Sequence, residues 1–225
     1  MILRALLFDL DGTLSNTDPV HVKAWAECLR PYGLSIDARS YRSRISGLLT
    51  SVAVRNLVPG LSAEEVHEFV EAKQRYFREF AAGLTMLDGL EKLLAWSKQN
   101  ALGLGLVTNA TRPHAHFMLS KLGLQGFFET EVMGEEVPAG KPDPAAYRIA
   151  LADLHVGAQE AMAFEDSPSG IRSAVGAGVM TVGIATTQTS EELLNAGASL
   201  VIDDFRDPKL WELLDHATLS PRLRI

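Results

Sequence analysis

From about residue 88 onward, short apolar segments alternate with helix-forming stretches of about ten residues. Segments at 102–107, 131–133, 161–164, 181–184 and 200–202 are too short for helices and read as strands, as does the apolar run at 5–8. Helical patterns fill 88–100, the stretch from 108 to 122, 142–154, 167–177, 190–196 and 208–216. Strands separated by helices pair in parallel, because only a long crossover returns the chain in the same direction. The predicted class is α/β: a Rossmann-like, mostly parallel sheet with helices on both faces.

Residues 18–81 break this rhythm and read as helical throughout. Asp18 is placed as an N-cap with Pro19 in the first helical position. Ser62 and Glu65 have capping-box spacing and open a helix to about Phe80, which Gly83 closes. Asp88 and Glu91 repeat the spacing at the start of the next helix. The expected organisation is a core formed by 1–15 and 86–225, with an inserted helical cap at 16–85. An insertion after the first strand is placed to act as a lid.

Ligands in such sheets bind beyond the carboxyl ends of the strands. Asp9, Thr108 and Asp166 each stand where an apolar run ends, so they are expected on one rim. Asp9 and Asp11 are two residues apart and start on the same side of an extended chain. Like charges that close require a cation between them or a proton on one of them. The first remedy is a divalent metal site and the second a general acid. Asp and Gly also make ordinary solvated turns, and from this pair alone either reading stands.

Four segments in chain order carry more: Phe8-Asp9-Leu10-Asp11-Gly12-Thr13, Val107-Thr108-Asn109, Gly140-Lys141-Pro142 and Phe164-Glu165-Asp166. Together they resemble the haloacid dehalogenase superfamily of phosphotransferases, in the subgroup of β-phosphoglucomutase and phosphoglycolate phosphatase-like enzymes. The resemblance implies Asp9 as the nucleophile that forms an aspartyl-phosphate, and Asp11 as general acid and base. It implies a magnesium site from Asp9, the Asp11 backbone carbonyl, Asp166 and Glu165, consistent with hard oxygen donors and no thiolate cluster. Strand neighbours point to opposite faces, which favours Asp166 as the direct ligand and Glu165 behind it. Thr108 and Asn109 are expected to bind the phosphoryl group at a strand-to-helix junction, and Lys141 to neutralise it. Helix capping remains open for Thr108 and for the Glu165–Asp166 pair.

Two residues of the helical block join the list. Lys73 falls on the apolar stripe of its helix (Val66, Phe69, Val70, Tyr76, Phe77, Phe80), where it either snorkels or faces substrate. His21, in a first helical turn, either packs or matches the hinge histidine of the mutases. His114 and His116 lie two apart on a helix, face differently and make a poor metal pair.

The implied activity is a magnesium-dependent phosphatase acting on a small phosphometabolite of phosphosugar or phosphoglycolate type. Asp11 argues against the dehalogenase branch, which lacks the second aspartate, and against the phosphonatase branch, which has alanine there. A phosphosugar mutase is the alternative, supported by His21 and Lys73. Against it, the loop Ile45-Ser46-Gly47-Leu48 has no arginine just after its glycine, where mutases hold the second phosphate. A phospho-accepting signalling module is a remote alternative, since such domains are about half this length.

Composition narrows the partners. A net charge of −7 disfavours nucleic acid, which requires cationic neutralisation of phosphates. Residues 19–60 nevertheless carry six basic side chains against two acidic, enough to steer an anionic metabolite or to form a solvated face. The one cysteine, Cys28, allows no intrachain disulfide, and no apolar run is long enough to span a bilayer. The opening residues are too short and too soon acidic for a secretory signal. A cytoplasmic monomer is the expectation.

Overall fold

The computed structural model describes residues 2–219 apart from 47 and 49, with no account of the side chains of 218 and 219. The chain divides into two compact units, Met1–Asn16 with Thr85–Ile225, and Thr17–Leu84. In order, the elements are β1 (Ile2–Leu3), β2 (Ala5–Phe8), α1 (Asp18–Leu29), α2 (Ala38–Arg44), α3 (Thr50–Leu57), α4 (Ala63–Phe80) and α5 (Leu90–Gln99). They continue with β3 (Gly103–Thr108), α6 (Arg112–Lys121), β4 (Thr130–Met133), α7 (Ala145–Asp153), β5 (Ala161–Glu165) and α8 (Pro168–Gly176). The last are β6 (Met180–Ile184), α9 (Ser190–Ala196), β7 (Leu200–Ile202), α10 (Pro208–Asp215) and β8 (Thr218–Leu219).

The first unit is built on a six-stranded sheet in the order β4-β3-β2-β5-β6-β7, with every neighbouring pair parallel. The central strands are apolar on both faces because helices cover both. On one face Ala5, Leu7, Val107, Ala161 and Ala163 pack against Tyr147, Ala150 and Leu154 of α7 and its end. On the other, the Phe8 ring stacks on Phe164 at 5.0 Å, and Phe205 meets Phe164 edge-on at 5.4 Å. The sheet order reverses between β2 and β5, where β2 is flanked by β3 and β5. That is where a parallel sheet opens a crevice at its carboxyl end.

The second unit contains α1 to α4 around Trp25, Leu29, Tyr41, Val54, Val66 and Phe69. The capping box forms as its spacing predicts: Ser62 N donates to Glu65 Oε2 at 2.8 Å and Glu65 N to Ser62 Oγ at 3.2 Å. Such a cap stabilises a helix by about 1 kcal/mol. Gly47 and Leu49 of the loop weighed against a mutase lie outside the described residues.

Three predicted helix starts shift. Thr17 is the N-cap of α1, and Asp18 is instead its first residue, where a carboxylate suits the helix dipole. Gly89, not Asp88, caps α5. Its φ of +82° and the 2.7 Å that would separate a Cβ from the backbone of Phe205 and Arg206 admit only glycine. α7 starts at Ala145 instead of 142: Asp143 precedes Pro144, which disfavours helical backbone there, and Asp143 Oδ1 accepts from Ala145 N at 2.8 Å. The parallel pair β1–β8 has too little pattern in two residues to be seen in sequence. Among the described residues no helix is long and apolar enough to cross a membrane.

Candidate active site

The polar residues gather where β2, β3 and β5 end. Asp9 prolongs β2, its N–H bonded to Phe164 O at 3.0 Å. The chain then turns sharply, with Leu14 N donating to Leu10 O at 2.9 Å and Gly12 N to Ser15 O at 2.8 Å. Gly12 has φ +82°, and a Cβ there would lie 2.0 Å from Asp166 Oδ2, so glycine lets the turn close on that carboxylate.

Lys141 is the hub of the site. Its Nζ donates to Asp9 Oδ1 at 2.5 Å, Glu165 Oε1 at 2.6 Å and the Val107 carbonyl at 2.7 Å, which uses all three ammonium hydrogens. Only 3% of this side chain is exposed. Asn109 locks the loop that carries it: Lys141 N donates to Asn109 Oδ1 at 2.9 Å, and Asn109 Nδ2 donates to the Lys141 carbonyl at 3.2 Å. The Asn109 side chain thus holds the Lys141 backbone in place. Thr108 is buried at the end of β3 and its Oγ1 accepts from Ala110 N at 3.0 Å, while Thr111 is the residue in the N-cap position of α6.

Glu165 is fully buried at the end of β5. Its Oε1 accepts from both Lys141 and the Tyr147 hydroxyl, the latter at 2.6 Å, while its Oε2 is buried without a hydrogen-bond partner. Gly170 of α8 makes the room, since a Cβ there would lie 1.8 Å from Oε2. Asp166 is also buried and accepts from the Thr187 hydroxyl at 2.5 Å, with Ser167 capping α8 behind it. Asp11 is more open and lies 3.1 Å from His114 Nε2.

Sequence reasoning missed Tyr147, Gly170 and Thr187, and weighed His114 only as half of a poor metal pair with His116. Of these only Thr187 had a visible signal, as part of a threonine-rich loop after a strand on the same rim. His116 faces away from His114 and meets Glu131 at 3.1 Å. His21 and Lys73 belong to the other unit. There the His21 ring lies 4.5 Å from the Phe77 ring, and Lys73 Nζ lies 5.3 Å from the Phe77 centroid.

One ligand oxygen from each of Asp9, Glu165 and Asp166 lies within 4.8 Å of the others. Three buried carboxylates against one ammonium leave two negative charges uncompensated, the deficit a divalent cation would fill. The orphaned Oε2 of Glu165 agrees with that deficit. Burial pushes the Asp9 carboxyl up to about 8 against the pull of Lys141, with Glu165 and Asp11 adding to the rise. Burial alone would lower the Lys141 ammonium, but Asp9 and Glu165 outweigh it and hold the group above the ordinary lysine range. Burial and the Glu165 charge hold the Tyr147 hydroxyl protonated, so it donates.

A buried acidic centre bridged by one lysine, at the switch point of a parallel sheet, marks an enzyme of the α/β class. The sequence profile of the haloacid dehalogenase-like hydrolases matches residues 6–184. Validoxylamine A 7′-phosphate phosphatase of Streptomyces hygroscopicus subsp. limoneus is 34% identical over 199 residues, 88% of this chain and 92% of that protein. The phosphorylated carbohydrates phosphatase of Thermotoga maritima is 30% identical over 207 residues, 89% of this chain and 94% of that protein. The crystal structure of β-phosphoglucomutase from Clostridium difficile matches with a TM-score of 0.81 at 26% identity, covering 95% of this chain and 96% of that one. The chain belongs to the haloacid dehalogenase-like hydrolase family.

Proposed function

We propose that this hydrolase is a magnesium-dependent phosphatase of a small phosphorylated metabolite, of phosphosugar or phosphoglycolate type. The observation that carries the reading is the Lys141 ammonium held between Asp9 and Glu165 in a centre that lacks two positive charges. The similarity to a phosphatase of validoxylamine A 7′-phosphate and to a phosphatase of phosphorylated carbohydrates supports the substrate class.

In the first step an Asp9 carboxylate oxygen attacks phosphorus, the bond from phosphorus to the leaving oxygen breaks, and Asp11 gives that oxygen its proton. In the second, water attacks the aspartyl-phosphate, Asp11 takes its proton, and the Asp9–phosphorus bond breaks to free phosphate. Thr108 and Lys141 compensate charge on the phosphoryl oxygens. Magnesium bound by Asp9, the Asp11 carbonyl and Asp166 would add positive charge at those oxygens. Glu165 serves chiefly by fixing Lys141, since its Oε1 is taken by Lys141 and Tyr147.

We assign substrate choice to the helical unit, through Lys73 and His21. Those two residues and the similarity to β-phosphoglucomutase favour a second reading, a phosphosugar mutase. Incubation with a panel of sugar phosphates and phosphoglycolate in magnesium separates the two. Free phosphate supports the phosphatase. An isomeric sugar phosphate formed without free phosphate supports the mutase and overturns the hydrolytic reading.

A further inference from the structure

His114 is a buried ring that the reaction as described does not use. It is the third residue of α6, so the connection that places Thr108 at the end of β3 also delivers this imidazole. Its Nε2 lies 3.1 Å from Oδ2 and 3.3 Å from Oδ1 of Asp11, facing both oxygens of one carboxyl group. The ring is 6% exposed and the Asp11 side chain 28% exposed. The rigid, packed partner is therefore the histidine, and the adjustable one is the aspartate. His116, two residues on, meets Glu131 on the surface, so the contact to Asp11 is particular to position 114.

We propose that His114 is a positioning residue for proton transfer, holding the Asp11 carboxyl in the orientation from which it reaches the leaving oxygen. The inference rests on the phosphatase reading above. A carboxyl group on a turn can rotate about its terminal torsion, and that torsion is broad and soft. A ring nitrogen facing both oxygens restricts it, whichever partner carries the shared hydrogen. Proton transfer requires hydrogen-bond reach, and small misplacements of a reacting group cost rate steeply. The step assisted is the first: the Asp9–phosphorus bond forms, the bond to the leaving oxygen breaks, and the Asp11 proton goes to that oxygen.

Leaving-group dependence tests this. An alkoxide leaving from a sugar phosphate needs the proton, whereas p-nitrophenolate leaves with little help. The comparison uses kcat/KM for p-nitrophenyl phosphate and for the sugar phosphate that the wild-type enzyme hydrolyses fastest, so that only steps through first transfer count. His114→Ala is expected to lower the sugar-phosphate value on the order of 10- to 100-fold and the aryl value by less than about threefold. His114→Gln, whose Nε2 can stand where the imidazole Nε2 stands, is expected to recover most of the loss. Thermal melts of both variants identify any loss of fold, and if the alanine variant is unfolded the glutamine variant carries the comparison with His114→Met. Equal losses on both esters from folded protein, or no loss on either, overturn the positioning role and leave the phosphatase reading intact. A wild-type enzyme that hydrolyses neither ester overturns both.

Discussion

Replacing Lys141 with methionine keeps an unbranched apolar chain out to the ε carbon and removes the ammonium. In the structure the Lys141 side chain is 3% exposed, and its ammonium donates to Asp9, Glu165 and the Val107 carbonyl within 2.5 to 2.7 Å. Its loss leaves Asp9 and Glu165 facing each other in a buried space with Asp166 close by. Removing one partner of a buried ion pair costs about 3 to 5 kcal/mol. For a chain of this size each kcal/mol moves the melting temperature by about 2 to 4 °C, so a fall of about 6 to 20 °C is expected. Protonation of the stranded carboxyls would relieve the repulsion, so the loss should be larger at alkaline than at acid pH. Magnesium should restore part of it, because a cation that binds only the folded state stabilises that state. The assay is thermal unfolding by circular dichroism with chelator and then with magnesium. A fall of less than about 2 °C in chelator would show that Lys141 does not neutralise this centre.

Three further outcomes follow from the same geometry. Tyr147→Phe removes one charge-assisted hydrogen bond to a fully buried carboxylate, and urea denaturation is expected to show a loss of about 1.5 to 3 kcal/mol; a loss under about 0.5 kcal/mol would refute the contact. Gly170→Ala places a Cβ 1.8 Å from Glu165 Oε2, so the carboxylate must move, and both melting temperature and turnover should drop; wild-type values for both would show that the glycine is dispensable. The pH dependence follows from Asp9, whose carboxyl rises from 3.8 unfolded to about 8 folded. Between those values the folded protein holds a proton that the unfolded chain has released, so stability in chelator falls as pH rises through that window. Magnesium at Asp9 would displace the proton and flatten the slope, and urea melts in chelator whose midpoint rises toward pH 8 would contradict this.

The sheet was legible because each central strand is a short apolar run that ends abruptly in a polar residue, as at Phe8-Asp9 and Phe164-Glu165. That boundary also placed Asp9, Thr108 and Asp166 at one rim, and ligand oxygens of Asp9 and Asp166 do lie together, with Glu165 beside them. What stayed hidden depends on packing between elements distant in sequence. Tyr147 reaches Glu165 across 18 residues and His114 reaches Asp11 across 103. Neither spacing has a local signature, and a tyrosine on an apolar helix face reads as core. Gly170 reads as one helical residue among others until the carboxylate against it is seen. Asn109 was flagged by its place at a strand end, but its side chain hydrogen-bonds to the loop carrying Lys141, a loop-to-loop contact that strand pattern cannot reveal. The start of α5 moved because the close approach of residues 205 and 206 admits only glycine at position 89.

Asp9, as proposed above, takes the phosphoryl group from substrate, and the direct measurement is turnover by Asp9→Asn with wild-type enzyme acid-quenched alongside it. An amide is a poor nucleophile, so the variant should retain no measurable phosphate release from any ester the wild type hydrolyses. Peptide mass spectrometry of the quenched wild type should find the phosphoryl group on the peptide that contains Asp9. An Asp9→Asn variant that turns over within about tenfold of wild type would exclude covalent catalysis at Asp9 as the route.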